Sequence, residues 1–135
     1  MKPKIFINLP VTDLKKSKDF YTQIGFSVNP QFTDETAAAM VFSDEIFVML
    51  LTHEKFSMFT TKPISNVGQN AAAIFALEVE SPEKMNQMVD SGLAAGGKEP
   101  MKGKDYGFMQ QRCLEDLDGH LWEVLFMDMN KFPQQ

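Results

Sequence analysis

A single carboxylate stands among large apolar residues near the C-terminus, and it is the residue of this chain best placed to do chemistry. Glu123 lies in the stretch 121–127, whose other members are Leu, Trp, Val, Leu, Phe and Met. A carboxylate on a covered strand is costly unless it is paired, hydrated or bound to a metal. Glu123 is therefore a candidate ligand-binding group and a candidate general base. The alternative is a structural carboxylate held by a nearby donor such as Arg112.

Two further polar residues could contribute to a pocket. Arg112 precedes the turn that leads to Glu123, and it could pair with Glu123, grip an anionic substrate or simply lie in solvent. Asn8 alternates with Phe6 on the first predicted strand, so its amide could face a pocket or satisfy a backbone group.

His53 and Cys113 each have a functional and a structural interpretation. His53 could be an acid–base group, although a solvated position at a strand end is more typical. Cys113 could be a nucleophile, but no histidine lies near it in sequence, which favours an inert thiol. An apolar pocket could draw on the aromatic and methionine residues Phe6, Phe47, Met49, Phe56, Met58 and Phe59.

Composition limits the classes of function. The 135 residues are 44% hydrophobic and 23% charged, with a net charge of -5, which fits one globular domain over residues 1–135. The chain has no strong basic cluster, which argues against nucleic acid or an anionic membrane as the main partner. The chain has one cysteine and no sequence run of transmembrane length, so a cytoplasmic location is expected.

The elements that must position these residues form a repeated pattern. Alternating residues predict a strand over 5–11, and Asp13 caps a helix that ends before Gly25. Strands are predicted over 26–32, 37–42 and 46–52, and a short helix over 53–60. The order β-α-β-β-β recurs in strand 72–79, a helix entered at Ser81-Pro82, and strands near 98–101, 108–115 and 121–127.

The two predicted units span roughly 4–60 and 70–130, and Val79 repeats Val11 at an offset of 68 positions. The fold class expected is α+β, with the two βαβββ units forming a curved eight-stranded mixed sheet, or half-barrel. Helices would lie outside and a pocket inside.

Two motifs at opposite ends of the chain resemble those of the vicinal oxygen chelate superfamily, which contains glyoxalases, bleomycin-resistance proteins and extradiol dioxygenases. The motifs read Val11-x-Asp13-Leu14-x-x-Ser17-x-x-Phe20-Tyr21-x-x-x-Gly25-Phe26 and Asp116-x-Asp118-Gly119-His120-x-Trp122-Glu123. The resemblance covers almost the whole chain. It implies a fold more strongly than any one reaction, because the fold hosts many.

The resemblance also implies where a metal would bind in metal-dependent relatives. Their ligands come from the first and last strands of each unit, and the matching positions here are Phe6, a site near Leu50, Ile74 and Glu123. Only Glu123 can coordinate, and His53 is the one further weak candidate. A catalytic metal usually needs three protein ligands. No metal or other cofactor is therefore expected, and Phe6, Leu50 and Ile74 are expected to line a pocket instead.

Three functions remain in competition. The resemblance favours a metal-free protein that binds a small apolar or aromatic molecule, as bleomycin-resistance proteins do, and the acidic charge would suit a cationic ligand. The alternative is a metal-dependent lyase, isomerase or dioxygenase-type enzyme. A non-enzymatic interaction module ranks last, because no separate partner motif is present. A homodimer is expected in each case.

Overall fold

The N-terminal half of the chain folds in the predicted β-α-β-β-β order. The structure is a computed structural model that describes residues 1–133. Residues 1–66 form the N-terminal unit. Its elements are β1 (Ile5–Val11), α1 (Leu14–Gln23), β2 (Ser27–Asn29), β3 (Ala37–Val41), β4 (Ile46–Thr52) and the short α2 (His53–Ser57). The strands lie in the order β1-β4-β3-β2, with β1 parallel to β4 and the other pairs antiparallel.

The C-terminal unit begins at Val67 and repeats this topology. Its elements are β5 (Ile74–Glu78), α3 (Pro82–Ala94), β6 (Lys104–Asp105), β7 (Met109–Glu115) and β8 (Leu121–Met127). The strands lie in the order β5-β8-β7-β6, with β5 parallel to β8 and the other pairs antiparallel. Each unit therefore has its own four-stranded mixed sheet, and the predicted α+β class with paired βαβββ units is confirmed.

One helix covers one face of each sheet. Asp13 caps α1 by accepting a hydrogen bond from the Lys16 amide at 3.1 Å, and Ser81 caps α3 by accepting one from the Lys84 amide at 3.0 Å. The helices then bury an apolar stripe against their strands. The buried helix residues are Ser17, Phe20 and Tyr21 in α1 and Met85, Met88, Val89 and Gly92 in α3.

The largest differences between the predicted and observed strands occur at two places, and several other strands differ by one to three residues at their ends. The strand predicted over 26–32 stops at Asn29, because Pro30 has no amide hydrogen and begins a 3₁₀ turn over Pro30–Phe32. The strand predicted near 98–101 is wrong in position. Lys98 forms only an isolated bridge with Glu115, Pro100 interrupts the run, and the pairing strand β6 lies at Lys104–Asp105.

The acidic turn before β8 is held by one buried carboxylate. Asp116 is 5% exposed, and its Oδ1 accepts hydrogen bonds from the amides of Asp118, Gly119 and His120 at 3.0, 2.9 and 2.8 Å. Gly119 has a φ of +105°, and a Cβ placed there would lie 2.6 Å from the carbonyl oxygen of Val67. Glycine is therefore favoured at this position for two reasons: the positive φ and the closeness of the Val67 backbone.

We expect Gly119→Ala to lower the free energy of unfolding by about 3 kcal/mol, from positive-φ strain together with displacement of the Val67 backbone. Urea unfolding of purified protein measures this loss.

Gly107→Ala is the matched control. Gly107 has a φ of +86° but no atom within 4 Å of its ideal Cβ, so this variant should lose only about 1 kcal/mol. Equal losses at the two sites would contradict the close approach at Gly119.

Candidate functional site

The open face of the N-terminal sheet is defined by strand alternation. Val48 and Leu50 of β4 are fully buried on the side that packs against α1. Their neighbours Phe47 and Met49 therefore point to the opposite face. Phe6 is paired in register with Phe47, which places its side chain on that same open face.

A cavity of about 390 Å³ lies on this open face. Its walls are mostly apolar, and they come from the four strands of the sheet, from the residue before β1 and from the turn after β2. The lining consists of Phe6, Phe32, Phe47, Ala39, Val41, Met49, Lys4 and Asn29. Clefts of this size with apolar walls and a few polar groups are typical small-molecule sites.

Two rings form the centre of the cavity wall. Phe6 and Phe47 stack with their centroids 4.5 Å apart and their planes 12° apart. Phe6 remains 54% exposed although one of its faces is covered by Phe47. An exposed aromatic face beside an apolar cleft favours a further flat ring, because offset stacking adds to the burial of apolar area.

The other predicted pocket residues of this unit lie elsewhere. Leu50 faces α1, so its predicted place in a pocket with Phe6 is wrong, and the adjacent Met49 lines the cavity instead. Asn8 shares the Phe6 face, but its Nδ2 donates to the carbonyl of Phe6 at 3.4 Å and it does not line the cavity. His53 is exposed as the first residue of α2, in the solvated position that a strand end favours.

Glu123 lies on the open face of the C-terminal sheet. It is half-buried, and its register partners are Ala76 on β5 and Cys113 on β7. Ile74 shares this face and is 58% exposed. Trp122 and Val124, which flank Glu123, are buried on the α3 side. β8 is therefore fully covered on one face only, and Glu123 belongs to the face that is left partly open.

Arg112 lies on the opposite face from Glu123. Its Nε and Nη2 donate to the two carboxylate oxygens of Glu99, each at 2.9 Å, and its Nη1 donates to Asp90 and Asn86 at 3.0 Å. The hydrogen bonds to Glu99 raise the pKa of the Arg112 guanidinium above its ordinary value. Arg112 thus ties helix α3 and the segment before β6 to strand β7. Of the alternatives that the sequence left open for Arg112, pairing with Glu123 does not occur, because strand alternation directs the two side chains to different faces.

Cys113 is the titratable neighbour of Glu123. Burial raises the pKa of its thiol, and the charges of Glu123 and then Glu99 raise it further, while Lys104 opposes them. A raised pKa keeps the thiol protonated near neutral pH. Cys113 is therefore a poor nucleophile, in agreement with the inert role that its sequence context favours.

Three of the four residues at the positions that the resemblance assigns to metal ligands have no donor atom in their side chains. Phe6 and Ile74 have no donor atom, and Leu50 is apolar and faces the helix. Within residues 1–133, no three His, Cys, Asp or Glu side chains lie together as a group that could hold a metal ion. No helix of that range is both long and apolar enough to cross a membrane.

Sequence reasoning missed several residues of the cavity. Ala39 and Val41 could have been found, because they alternate with the buried Ala38 and Met40. Lys4 stands two positions before Phe6, and the same alternation places it on the Phe6 face. Phe32 could not have been found in this way, because a strand was predicted where the structure has a 3₁₀ turn.

Residues 5–43 match the family described as bleomycin resistance protein-like N-terminal. A hypothetical protein from S. aureus is similar over 93% of this chain and 95% of its own, with 26% identity and a TM-score of 0.77. A glyoxalase/bleomycin resistance protein/dioxygenase family enzyme from Burkholderia phytofirmans PsJN is 16% identical over 90% and 96% of the two chains, with a TM-score of 0.76. A glyoxalase/bleomycin resistance protein/dioxygenase from Nocardioides is 19% identical over 100% and 90%, with a TM-score of 0.71. No curated protein matches the chain.

The cross-strand pair of Cys113 and Glu123 can be tested by thiol alkylation. Because the carboxylate charge raises the pKa of the Cys113 thiol, Glu123→Gln should lower that pKa and speed native-state reaction with iodoacetamide at a fixed, mildly alkaline pH. The pH profile of the alkylation rate measures the shift.

Glu78→Gln provides the control. Glu78 is on the same face but two strands away from Cys113, with β8 between them, so its neutralisation should leave the profile in place. A Glu123→Gln profile that coincides with that of the parent protein would refute the pairing.

Proposed function

Because this chain has the fold of the vicinal oxygen chelate superfamily, as its motifs predict and its structural likenesses bear out, we propose that it binds a small, largely aromatic molecule without the family's metal. The proposed site is the cavity on the open face of the N-terminal sheet. The observation that carries the proposal is the exposed Phe6 ring, stacked on Phe47 in an apolar cleft of about 390 Å³.

The energetics favour an aromatic occupant. Phe6 and Phe32 are 54% and 63% exposed, so binding would remove apolar ring surface from water on both sides of the cleft. Each Å² of apolar area buried contributes about 25 cal/mol. A ring stacked on Phe6 would add roughly 0.5–1.5 kcal/mol beyond that area term. Few polar groups line the cleft, so a ligand that is strongly hydrated over most of its surface would lose more on entry than it gains.

The apolar residues at the family's metal positions support binding without that metal. Phe6 and Ile74 cannot coordinate, and a catalytic site needs about three protein ligands. Glu123 keeps the donor type of its family position, on the open face of the C-terminal sheet. It remains the candidate general base if the protein proves to be an enzyme.

A fluorescent neutral probe, N-phenyl-1-naphthylamine, tests the site. The protein should bind it saturably, and Phe6→Ala or Phe32→Ala should weaken binding by about tenfold through lost stacking and burial. Phe59→Ala is the matched control, because Phe59 is an exposed phenylalanine of the same unit that does not line the cavity. An equal loss of probe affinity in all three variants, or no loss in the first two, would contradict the proposal.

Metal binding is tested with the same protein after treatment with a chelator. Addition of Ni²⁺, Zn²⁺, Mn²⁺ or Fe²⁺ should leave the thermal midpoint and the probe affinity unchanged. Stoichiometric binding with a raised midpoint would instead support the alternative, a metal-dependent lyase, isomerase or dioxygenase-type enzyme, since a ligand of the folded state stabilises it by mass action.

We also propose that two copies of the chain associate. Strands β1 and β5 lie at the edges of their own sheets, and they carry Ile5 at 54% and Ile74 at 58% exposure. Exposed apolar edge strands are prone to pair with another chain, so native proteins usually cover them.

Light scattering at micromolar concentration should return the mass of two chains. Ile5→Glu should shift the protein towards the mass of one chain, because a charge in a buried contact is costly. Met129→Glu adds the same charge at an exposed methionine outside the strands and should leave the mass unchanged. A parent protein that runs as a single chain would overturn this proposal.

A further inference from the structure

The cavity of the N-terminal unit contains a charge of the opposite sign to that of the whole protein. The chain carries a net charge of -5, which would favour a cationic ligand if overall charge decided the matter. Among the eight residues that line the cavity, however, Lys4 is the charged one. An interaction across a few ångströms outweighs a diffuse net charge, which salt screens within about 8 Å at physiological ionic strength. The local lysine should therefore decide which ligand charge is preferred.

The Lys4 ammonium is placed beside the ring stack. Its Nζ lies 5.7 Å from the centroid of Phe47, at the distance of a cation–π contact. This contact holds the lysine next to the Phe6–Phe47 pair, where an occupant stacked on Phe6 would come within its reach. The ring is a weak partner for the ammonium, so a ligand anion could replace or join it.

No ion pair joins Lys4 to the nearby acidic residues of the described chain. Asp44 and Glu45 lie with Lys4 around a neighbouring surface concavity. Glu45 pairs instead with Lys2, whose Nζ is 3.8 Å from its Oε1. Within residues 1–133, no carboxylate oxygen lies within 4.0 Å of the Lys4 ammonium. Its charge is therefore available to a ligand.

Asn29 adds hydrogen-bond donors to the same cavity. Its Oδ1 accepts from the Gln31 amide at 3.1 Å, and this bond caps the 3₁₀ turn that carries Phe32. The cap engages the amide oxygen, and the NH₂ group of Asn29 carries the two hydrogen-bond donors of the side chain. Lys4 favours an anionic ligand, and the Asn29 amide can donate to an oxygen of that ligand.

We propose that the ligand of this cavity is an aromatic anion, a flat ring system that carries a carboxylate or a similar oxyanion. The ring stacks on the exposed face of Phe6 between the apolar walls, and the oxyanion pairs with Lys4 and accepts from Asn29. This inference rests on the small-molecule site proposed above and specifies the chemical class that the site selects. It replaces the expectation of a cationic ligand that the overall charge suggested.

Two probes with the same aromatic skeleton distinguish the contribution of the ligand charge to the affinity from that of the ring. 1-Anilinonaphthalene-8-sulfonate is anionic, and N-phenyl-1-naphthylamine lacks the sulfonate. The parent protein should bind the anion more tightly than the neutral probe, and added salt should weaken only the anion. Lys4→Met keeps an apolar side chain of similar length and should weaken the anion by about fivefold, while the neutral probe changes less than twofold. Lys4→Arg should restore anion binding.

Lys2→Met is the matched control, because it removes the same charge two residues away from a side chain that does not line the cavity. It should leave the affinity for both probes within twofold of the parent. Far-UV spectra and thermal midpoints of all variants show that binding is measured on folded protein.

The outcomes distinguish the two proposals. If the neutral probe binds with the expected dependence on Phe32 but Lys4→Met leaves the anion unaffected, the aromatic site stands and its charge selectivity is wrong. If Lys2→Met weakens the anion as much as Lys4→Met, the attraction is a general effect of charge and the inference is also overturned. If neither probe binds saturably, the site itself fails, and the inference fails with it.

Discussion

A single helix covers one face of each four-stranded sheet, and the properties of both open faces follow from that constraint. Side chains alternate along a strand, so burial of Val48 and Leu50 against α1 obliges Phe47 and Met49 to face the other way. The same rule directs Val124 towards α3 and Glu123 away from it. Neither open face is covered by the helix of its own unit. The candidate binding residues Phe6 and Glu123 lie on these faces.

Charged side chains on the helix-covered faces and on the open faces of the sheets have different kinds of partner. On the helix side, the sole arginine of the chain forms a fork with Glu99 and a further bond to Asp90. Charge pairs of that geometry are structural, because both partners are fully engaged. On the open side of the N-terminal sheet, the Lys4 ammonium lies over the Phe47 ring and forms no ion pair with a carboxylate within residues 1–133. Arg112 and Lys4 thus differ in the partners that the surrounding structure provides: carboxylates for Arg112 and an aromatic ring for Lys4.

Much of the fold was predictable from local patterns. Local patterns predicted β1, β4 and β8 to the residue: β1 from alternation, and β4 and β8 from apolar runs next to turn residues. Asp13 and Ser81 marked the starts of both long helices. The two largest failures of the strand predictions lie at prolines, which have no backbone donor. Pro30 ended β2 early, and Pro100 left Lys98 with an isolated bridge while the paired strand formed at Lys104–Asp105. Whether such a segment forms the hydrogen bonds of a strand or those of a turn depends on which partner strand lies close enough to pair with it. No local sequence pattern contains that information.

The sequence by itself determined the residue types at the family's metal positions, the faces on which side chains alternate and the acidic turn before β8. These properties are local, since they depend on residue identity and on spacing along one strand. Only the tertiary structure decided that Leu50 faces a helix, that Arg112 binds Glu99 rather than Glu123, and that Lys4, Phe32 and Asn29 meet around the Phe6–Phe47 stack. These contacts join residues that are distant in sequence, and their partners are fixed by strand register and helix packing, which form only when the whole unit folds.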